Sequence, residues 1–420
     1  MRATWGLTAA ATLTVGALLT GCTSTSSRDV PAPAAGSSRT AVDDRPFVVE
    51  EIAELDEPWA MTFLPDGRAL VTGKGGNLTL RATDGSLSDV AGVPDVQDSG
   101  QGGLGDVVAA PDFASTRTVY LSWAEAGDGG SGAAVGRARL VEDGGSARLD
   151  GLSVVWRQRP KVSGNGHYGH RLAFSPDGQH LFVSSGERQK MAPAQDLASS
   201  LGKVLRLRPD GTAAEGNPFA DRGEVASEVW SYGHRNPLGL AFDADGTLWN
   251  SEMGPQGGDE LNVVREGANY GWPEVSNGSQ YGGGEIPDHA EGDGFEAPKA
   301  SWNPSISPGS LMIYSGSEFP QWQGDAFLGA LSGEALVRVD LDGTEAAKAD
   351  QWDLGQRVRE VEQAPDGTIW LLTDVPRQEA GRILSVRKVG VVGSAIPRCT
   401  SSGRFQARAS CGRIVLYSTR

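Results

Sequence analysis

The chain has 420 residues, of which 39% are hydrophobic and 21% are charged, a composition typical of soluble globular proteins. Its formal net charge of -16 at pH 7 argues against a nucleic-acid partner, because phosphate binding needs a basic surface. The 58 glycines favour many turns over long helices.

The N-terminus has the order of an export signal. Arg2 precedes an apolar segment, residues 5–19, that is too short to span a bilayer. The segment runs into Leu-Thr-Gly-Cys, ending at Cys22, which resembles a bacterial lipobox. That resemblance implies a signal peptide over residues 1–22, lipidation of Cys22, and anchoring to the outer face of the bacterial cell membrane. An ordinary secretory signal with an incidental cysteine is the alternative.

Two further segments flank the main domain. Residues 23–45 are rich in Ser, Thr, Ala and Pro and have no periodicity, which predicts a disordered tether. Residues 389–420 form a tail of unknown role with Cys399 and Cys411, which an oxidising compartment allows to form a disulfide. Residues 46–388 contain no cysteine, so packing must stabilise that domain.

One pattern repeats through the main domain: a Pro/Asp/Gly turn followed by a short alternating apolar strand, usually with an apolar strand before it. Clear copies begin at Leu64, Ser175, Asp243 and Ala364, a weaker one at Ala110 and a degraded one at Ser305. Such copies are hairpins, and those before Ser305 recur roughly every 45 to 70 residues. About six units of this size predict an all-β fold, a six-bladed β-propeller with four-stranded antiparallel blades. Two stacked β-sandwiches are the alternative. Helical periodicity is almost absent, and residues 194–207 are the best candidate for a short helical turn.

Glycine-rich loops between the strands carry most of the unusual polar residues. His167 lies in the loop Gly-Asn-Gly-His-Tyr-Gly-His, and Glu187 follows one hairpin later. An imidazole beside a carboxylate suits a general base, whereas a hydrogen-bonded turn residue is the plainer interpretation of a loop histidine. Arg357 and Arg359 are two residues apart, which on a strand places both guanidinium groups on one face. That face is either solvated or suited to binding a multiply anionic ligand.

A set of motifs occurs together in one order: PWAMTFLPDG, GQGGLGD, GHYGHRLAFSPDG, YGHRNPLGLAF, SEMGPQGGDELN, NYGWP and RVREVEQAPDGTIWLLTD. The set resembles the soluble glucose/sorbosone dehydrogenase family, whose members include aldose sugar dehydrogenases that use pyrroloquinoline quinone (PQQ). The resemblance covers roughly Phe47 to Lys388 and implies a six-bladed propeller that uses PQQ and Ca²⁺. It implies oxidation of an aldose at C1 to an aldonolactone by hydride transfer to the quinone, with electrons passing to an unidentified acceptor.

The resemblance also implies roles for individual residues. The catalytic group comprises the general base His167, the supporting carboxylate Glu187, and Arg235. The predicted PQQ contacts are Gln101, Arg235, Asn236, Arg357 and Arg359. The predicted calcium ligands are the turn carbonyls of Gly254 and Pro255 for a catalytic ion, and Glu260 with the Tyr270 carbonyl for a structural ion.

One departure from the family pattern concerns charge. The family often has a lysine in the segment that here contains Ser332 and Gly333, so one cationic contact to PQQ is missing. Two other functions stay open: a calcium-dependent lactonase, and a non-catalytic carbohydrate-binding propeller, which the missing lysine favours.

Overall fold

The computed structural model describes residues 45–376 and 379–389. The predicted signal peptide with Cys22, nearly all of the predicted tether and tail, and Cys399 and Cys411 lie outside these residues and stay predictions. No helix in the two described ranges is long and apolar enough to cross a membrane.

The described residues are almost entirely β-strands and turns. The strands of the first half are β1 (Phe47–Asp56), β2 (Pro58–Phe63), β3 (Ala69–Gly73), β4 (Asn77–Arg81), β5 (Leu87–Ala91), β6 (Leu104–Ala109), β7 (Thr118–Gly127), β8 (Gly130–Asp143), β9 (Ser146–Arg157), β10 (Gly169–Phe174), β11 (Leu181–Ser185), β12 (Lys203–Leu207) and β13 (Val229–Tyr232). The strands of the second half are β14 (Pro237–Phe242), β15 (Leu248–Glu252), β16 (Gln256–Gly257), β17 (Asp259–Val263), β18 (Gly278–Ser279), β19 (Ala300–Trp302), β20 (Met312–Ile313), β21 (Ala326–Ala330), β22 (Ala335–Asp342), β23 (Glu345–Asp353), β24 (Val358–Gln363), β25 (Ile369–Thr373) and β26 (Ala380–Lys388).

Helices in this part of the chain are short. They are the α-helix α1 (Phe113–Thr116) and three 3₁₀ turns, Ala192–Gln195, Ala226–Glu228 and Pro320–Trp322. The helical turn predicted within residues 194–207 overlaps only the end of the first 3₁₀ turn, and the last five residues of the segment form strand β12.

The strands form four sheets of four strands, one of eight and one of two. The four-stranded orders are β1-β26-β25-β24, β10-β11-β12-β13, β14-β15-β17-β19 and β20-β21-β22-β23. In the eight-stranded sheet, β2-β3-β4-β5 joins β9-β8-β7-β6 through a short parallel pairing of β5 with β9. The described sheets therefore contain two, four or eight strands, rather than four strands throughout.

The first strands of successive groups contact one another in a closed order: β2, β6, β10, β14, β20, β24 and back to β2. The first and last strands of the domain also meet, because β1 pairs antiparallel with β26 from Phe47–Lys388 to Asp56–Ala380. The apolar core lies between neighbouring sheets and includes the fully buried Trp249 and Leu371.

The predicted hairpin turns are confirmed at all four clear copies, which join β2–β3, β10–β11, β14–β15 and β24–β25. In the first turn, Asp66 Oδ1 accepts the N–H of Arg68 at 3.2 Å, and Gly67 has φ +86°, which favours glycine. In the last, Asp366 Oδ1 accepts the N–H of Thr368 at 3.0 Å. The same local chemistry therefore produces the first and the last of these turns.

Candidate active site

A cavity of about 550 Å³ opens where loops from several sheets meet. Four residues predicted to contact PQQ, Gln101, Asn236, Arg357 and Arg359, line it although they are far apart in the chain. The volume is in the range of small-molecule sites. The fold therefore brings these predicted contacts to one place.

His167 and Glu187 lie beside this cavity and contact each other. The Nδ1–H of His167 donates to Glu187 Oε1 at 2.5 Å, and the His167 backbone N–H donates to Gln101 Oε1 at 2.7 Å. The other Glu187 oxygen accepts the N–H of Met191 at 2.5 Å. With Nδ1 as the donor, Nε2 is the ring nitrogen that can accept a proton.

The environment keeps this pair in a state suited to base chemistry. Burial lowers the pKa of His167, the Glu187 hydrogen bond opposes that effect, and the Arg235 charge adds to it. Burial raises the pKa of Glu187, but the hydrogen bond and charge of His167, the Met191 N–H and the Arg235 charge together outweigh burial, so the pKa is lowered overall. Because the pKa values of His167 and Glu187 are both lowered, the imidazole is favoured in its neutral form and the carboxylate in its ionised form near neutral pH.

Arg235 and Asn236 precede β14 and are fixed by backbone contacts. The Arg235 carbonyl accepts the N–H of Glu187 at 2.9 Å, and Arg235 Nη1 donates to the Met253 carbonyl at 2.9 Å. The Asn236 side-chain oxygen accepts the N–H of Gly169 at 3.3 Å. Asn236 lines the large cavity, whereas Arg235 lines a smaller one beside it.

Arg357 and Arg359 share one carboxylate that the sequence reasoning missed. Arg357 immediately precedes β24 and donates from Nε to Asp374 Oδ2 at 2.7 Å. Arg359, within β24, donates from Nη2 to Asp374 Oδ1 at 2.6 Å. Burial raises the pKa of Asp374, but Arg359 and then Arg357 outweigh burial and lower it. The predicted arrangement of both arginines on one side is confirmed, and Asp374 holds them there.

Three other residues of the large cavity were given no binding or catalytic role by the sequence reasoning. Lys74 lines it from the end of β3 and donates to the Gly100 carbonyl at 2.6 Å. Trp59 stacks on His170 with ring centres 5.1 Å apart. Burial and the Arg171 charge lower the pKa of His170 to about 3, so this ring is neutral. His170, the second histidine of the glycine-rich loop, thus forms part of the cavity wall.

No pattern in the sequence marks Lys74 or Trp59, because a lone basic or aromatic residue beside a turn is common. Asp374 left a weak signal, since it directly follows an apolar strand paired with the strand of Arg359. Ser332, at the position of the missing lysine, hydrogen-bonds Ser307 Oγ at 2.8 Å, and Ser307 lines the cavity.

The smaller cavity, about 10 Å³, is lined by three of the four predicted calcium residues: Gly254, Glu260 and Tyr270. Glu252 lines it too, and burial followed by the Glu252 charge raises the pKa of Glu260 well above its usual value. Pro255 is buried but lines neither of these two cavities. A side chain could not replace the hydrogen of Gly254, whose Cβ would lie 2.2 Å from the Gly258 carbonyl oxygen.

Oxygen atoms of carboxylates and carbonyls are the ligands calcium prefers. Across residues 45–376 and 379–389, however, no group of three or more His, Cys, Asp or Glu side chains is placed to hold a metal ion. Any cation here would therefore depend on backbone carbonyls as well as on Glu260.

The family model for glucose / sorbosone dehydrogenase matches residues 55–385. The chain belongs to this family. It is 41% identical over 342 residues to the aldose sugar dehydrogenase YliI of Escherichia coli K12, covering 79% of this chain and 90% of that protein. It is 25% identical over 407 residues to quinoprotein glucose dehydrogenase B of Acinetobacter calcoaceticus, covering 77% and 84%. The family places the chain among sugar dehydrogenases, which are oxidoreductases.

Solved structures agree with this assignment. The apo form of the E. coli soluble aldose sugar dehydrogenase has a TM-score of 0.77 and 40% identity, covering 82% of this chain and all of that one. The PQQ-bound form of a Streptomyces coelicolor aldose sugar dehydrogenase has a TM-score of 0.66 and 31% identity, covering 81% and 98%. The all-β fold and its similarity to propeller enzymes of this family are thus established.

Proposed function

We propose that this protein is a PQQ- and calcium-dependent aldose dehydrogenase that oxidises the sugar at C1 to an aldonolactone. The observation that carries the proposal is the His167–Glu187 pair, linked through Gln101 to the cavity that Arg357 and Arg359 also reach. A base, a carboxylate that stabilises its protonated form, and clustered cations for an anionic cofactor are the groups this reaction needs.

The fold is best interpreted as six four-stranded blades. Four blades are the separate four-stranded sheets, and the other two are the halves of the eight-stranded sheet. The closed order of inner strands from β2 to β24 supports this count, and the β1–β26 pairing joins the two ends of the domain.

The large cavity fits PQQ, a flat quinone with three carboxylates. Arg357 and Arg359 would bind its carboxylates and quinone oxygens, and Gln101 and Asn236 would supply polar contacts. Lys74 lines the same cavity and provides a further cation despite the missing lysine at Ser332. Bound PQQ would supply the hydride acceptor for the sugar C1 hydrogen.

The smaller cavity fits a hard cation, because the buried Glu252 and Glu260 carboxylates repel each other without one. Glu260 and the Tyr270 carbonyl would hold a structural calcium. The turn of Gly254 and Pro255, of which Gly254 lines the smaller cavity together with Arg235, would hold the catalytic one. A cation there would polarise the quinone.

His167 acts on the substrate. Its Nε2 takes the proton of the sugar C1 hydroxyl, and Glu187 stabilises the imidazolium that forms. Gln101 holds the His167 backbone and so fixes where the ring meets the sugar.

Reconstitution tests this proposal. The full chain with PQQ and calcium should reduce an artificial dye when aldoses are added, and neither component alone should suffice. Lactone hydrolysis without PQQ would instead identify a lactonase. Absence of any change in PQQ absorbance on mixing would leave the carbohydrate-binding propeller.

We also propose, from the sequence alone, that the protein is exported and lipid-anchored through Cys22, so that the membrane is a partner only through the anchor. A Cys22→Ser chain should lose incorporation of labelled fatty acid. Equal labelling of both chains would refute the anchor.

A further inference from the structure

The segment after β11, residues 187–190, touches the His167 loop at every position. Besides the Glu187 hydrogen bond to His167, Lys190 Nζ lies 3.4 Å from Ser163 Oγ. Gln189 packs so closely on Gly166 that a Cβ there would lie 2.6 Å from its Cδ. The segment therefore acts as a strap across the loop.

Arg188 makes the deepest contacts of this strap. Its side chain is fully buried, and Nη1 donates to the Gly166 carbonyl at 3.0 Å. Nη2 donates to the Gly164 carbonyl at 2.6 Å and to Ser131 Oγ at 2.9 Å. The guanidinium carbon lies 3.7 Å from the ring centre of Tyr168, the residue after His167. Its backbone has φ +59°, an uncommon conformation outside glycine that is retained where surrounding contacts impose it.

The charge of Arg188 has no ion-pair partner in the described part of the chain. Among the described residues no carboxylate lies within salt-bridge distance of its guanidinium, although Glu187 is the adjacent residue. Burying an unpaired charge is costly, and two carbonyls, a hydroxyl and an aromatic face compensate for it only in part. A purely structural contact at this place would need no charge.

We propose that Arg188 is a positioning residue for His167. It holds the loop in place by donating hydrogen bonds to two of its backbone carbonyls, and it maintains a positive charge beside the imidazole. The charged groups that face His167 are the Glu187 carboxylate, which favours the imidazolium, and the Arg235 and Arg188 guanidinium groups, which disfavour it. Arg188 thereby offsets part of the Glu187 effect and keeps the ring unprotonated and aligned before substrate binds. Its effect on turnover rests on the proposed function, whereas its effect on the imidazole does not.

NMR titration of the histidines in the full chain without PQQ tests this inference. The chain has only five histidines, and the His167 signal is identified by its loss in His167→Gln. In Arg188→Met the pKa of His167 should rise by about half a unit or more, because the imidazolium no longer meets a nearby cation. In Arg188→Lys, which keeps the charge, it should stay close to that of the unaltered protein. The control Arg208→Met, at an exposed arginine, should not move it.

Measurements of turnover separate the effect of the Arg188 charge from the effect of its hydrogen bonds to the loop. Arg188→Lys should lower kcat about tenfold without changing the PQQ dissociation constant, because a lysine cannot donate to the Gly164 and Gly166 carbonyls in the same geometry. An unshifted His167 pKa in a folded Arg188→Met chain would overturn the inference. If that chain does not fold, Arg188→Lys decides the question. A His167 pKa in Arg188→Lys that differs from the values in the unaltered protein and in the Arg208→Met control would overturn the inference, and so would an unchanged kcat. Failure of PQQ to bind any of these chains would refute the dehydrogenase proposal and leave the NMR result standing.

Discussion

At the scale of single residues, the Glu187 carboxylate has a partner for each oxygen, His167 on one side and the Met191 N–H on the other. Neither oxygen is left to rotate toward solvent, so the imidazole is held in one orientation. Residue types in and near a glycine-rich loop were enough to single out His167 and Glu187, whereas Gln101 was predicted only through the family resemblance. The Asp374 link between Arg357 and Arg359 was only weakly indicated, by the place of Asp374 directly after the strand that pairs with the strand of Arg359.

Replacing Glu187 with glutamine tests the pair through its pH dependence. The amide still accepts from Nδ1–H but carries no charge, so the pKa of His167 should fall further below its usual value. A base with a lower pKa is deprotonated at lower pH, and the acid limb of kcat/KM should therefore move to lower pH. The plateau should fall about 100-fold because the base is weaker.

The control is Glu291→Gln, which changes an exposed carboxylate. An acid limb that moves to higher pH in Glu187→Gln would contradict the assigned role of the carboxylate.

Arg357→Ala tests the cofactor cavity. Removing one cation should weaken PQQ binding about tenfold or more, as measured by absorbance titration, while KM for the sugar changes little. Asp374→Asn should weaken PQQ binding less, because both arginines remain but are held less firmly. Equal losses of PQQ and sugar binding in Arg357→Ala would refute the division of roles.

At the scale of elements, strands β15 and β17 place two carboxylates directly opposite each other, Glu252 against Glu260. Like charges at such a pair are destabilising, and here both are buried. The turn motif repeated along the sequence predicted the hairpins well because Asp and Gly determine them locally. It could not predict the β5–β9 pairing or the short β20, where packing between distant segments decides.

Calcium should stabilise this strand pair. Adding millimolar calcium should raise the Tm of the unaltered chain by a few degrees, and a chelator should reverse the rise. In Glu260→Gln the calcium effect should be largely lost, while the Tm without calcium should stay the same or increase because one buried charge is gone. A calcium-dependent rise of equal size in both chains would show that the cation binds elsewhere.

At the scale of the whole molecule, the site exists only because the ring of inner strands closes. Gln101, Asn236 and Arg359 reach one cavity from different sheets, and β1 completes the sheet that carries Arg359 by pairing with β26. The repeat spacing predicted this convergence in outline. The identity of the cavity walls, such as Trp59 and His170, depends on loop conformations that no repeat encodes.

Deleting residues 45–56 should therefore damage the entire domain. It removes β1, exposes the edge of β26 and leaves part of the core around Phe47 uncovered. The Tm measured by calorimetry should fall by more than about 10 °C, or the chain should become insoluble. A deletion confined to the predicted tether, residues 24–40, is the control, and equal Tm values for the two deletions would contradict the role of the closure.

The central claim is that His167 removes the hydroxyl proton while the sugar C1 hydrogen leaves as hydride, and the reductive half-reaction tests it most directly. Chains loaded with PQQ and calcium are mixed with aldose in a stopped-flow instrument, and the loss of quinone absorbance is followed. We expect His167→Ala to bind PQQ as tightly as the unaltered chain but to react at least about 100-fold more slowly. Deuterium at C1 should slow the unaltered chain. An equal rate in His167→Ala, with PQQ fully bound, would contradict the account.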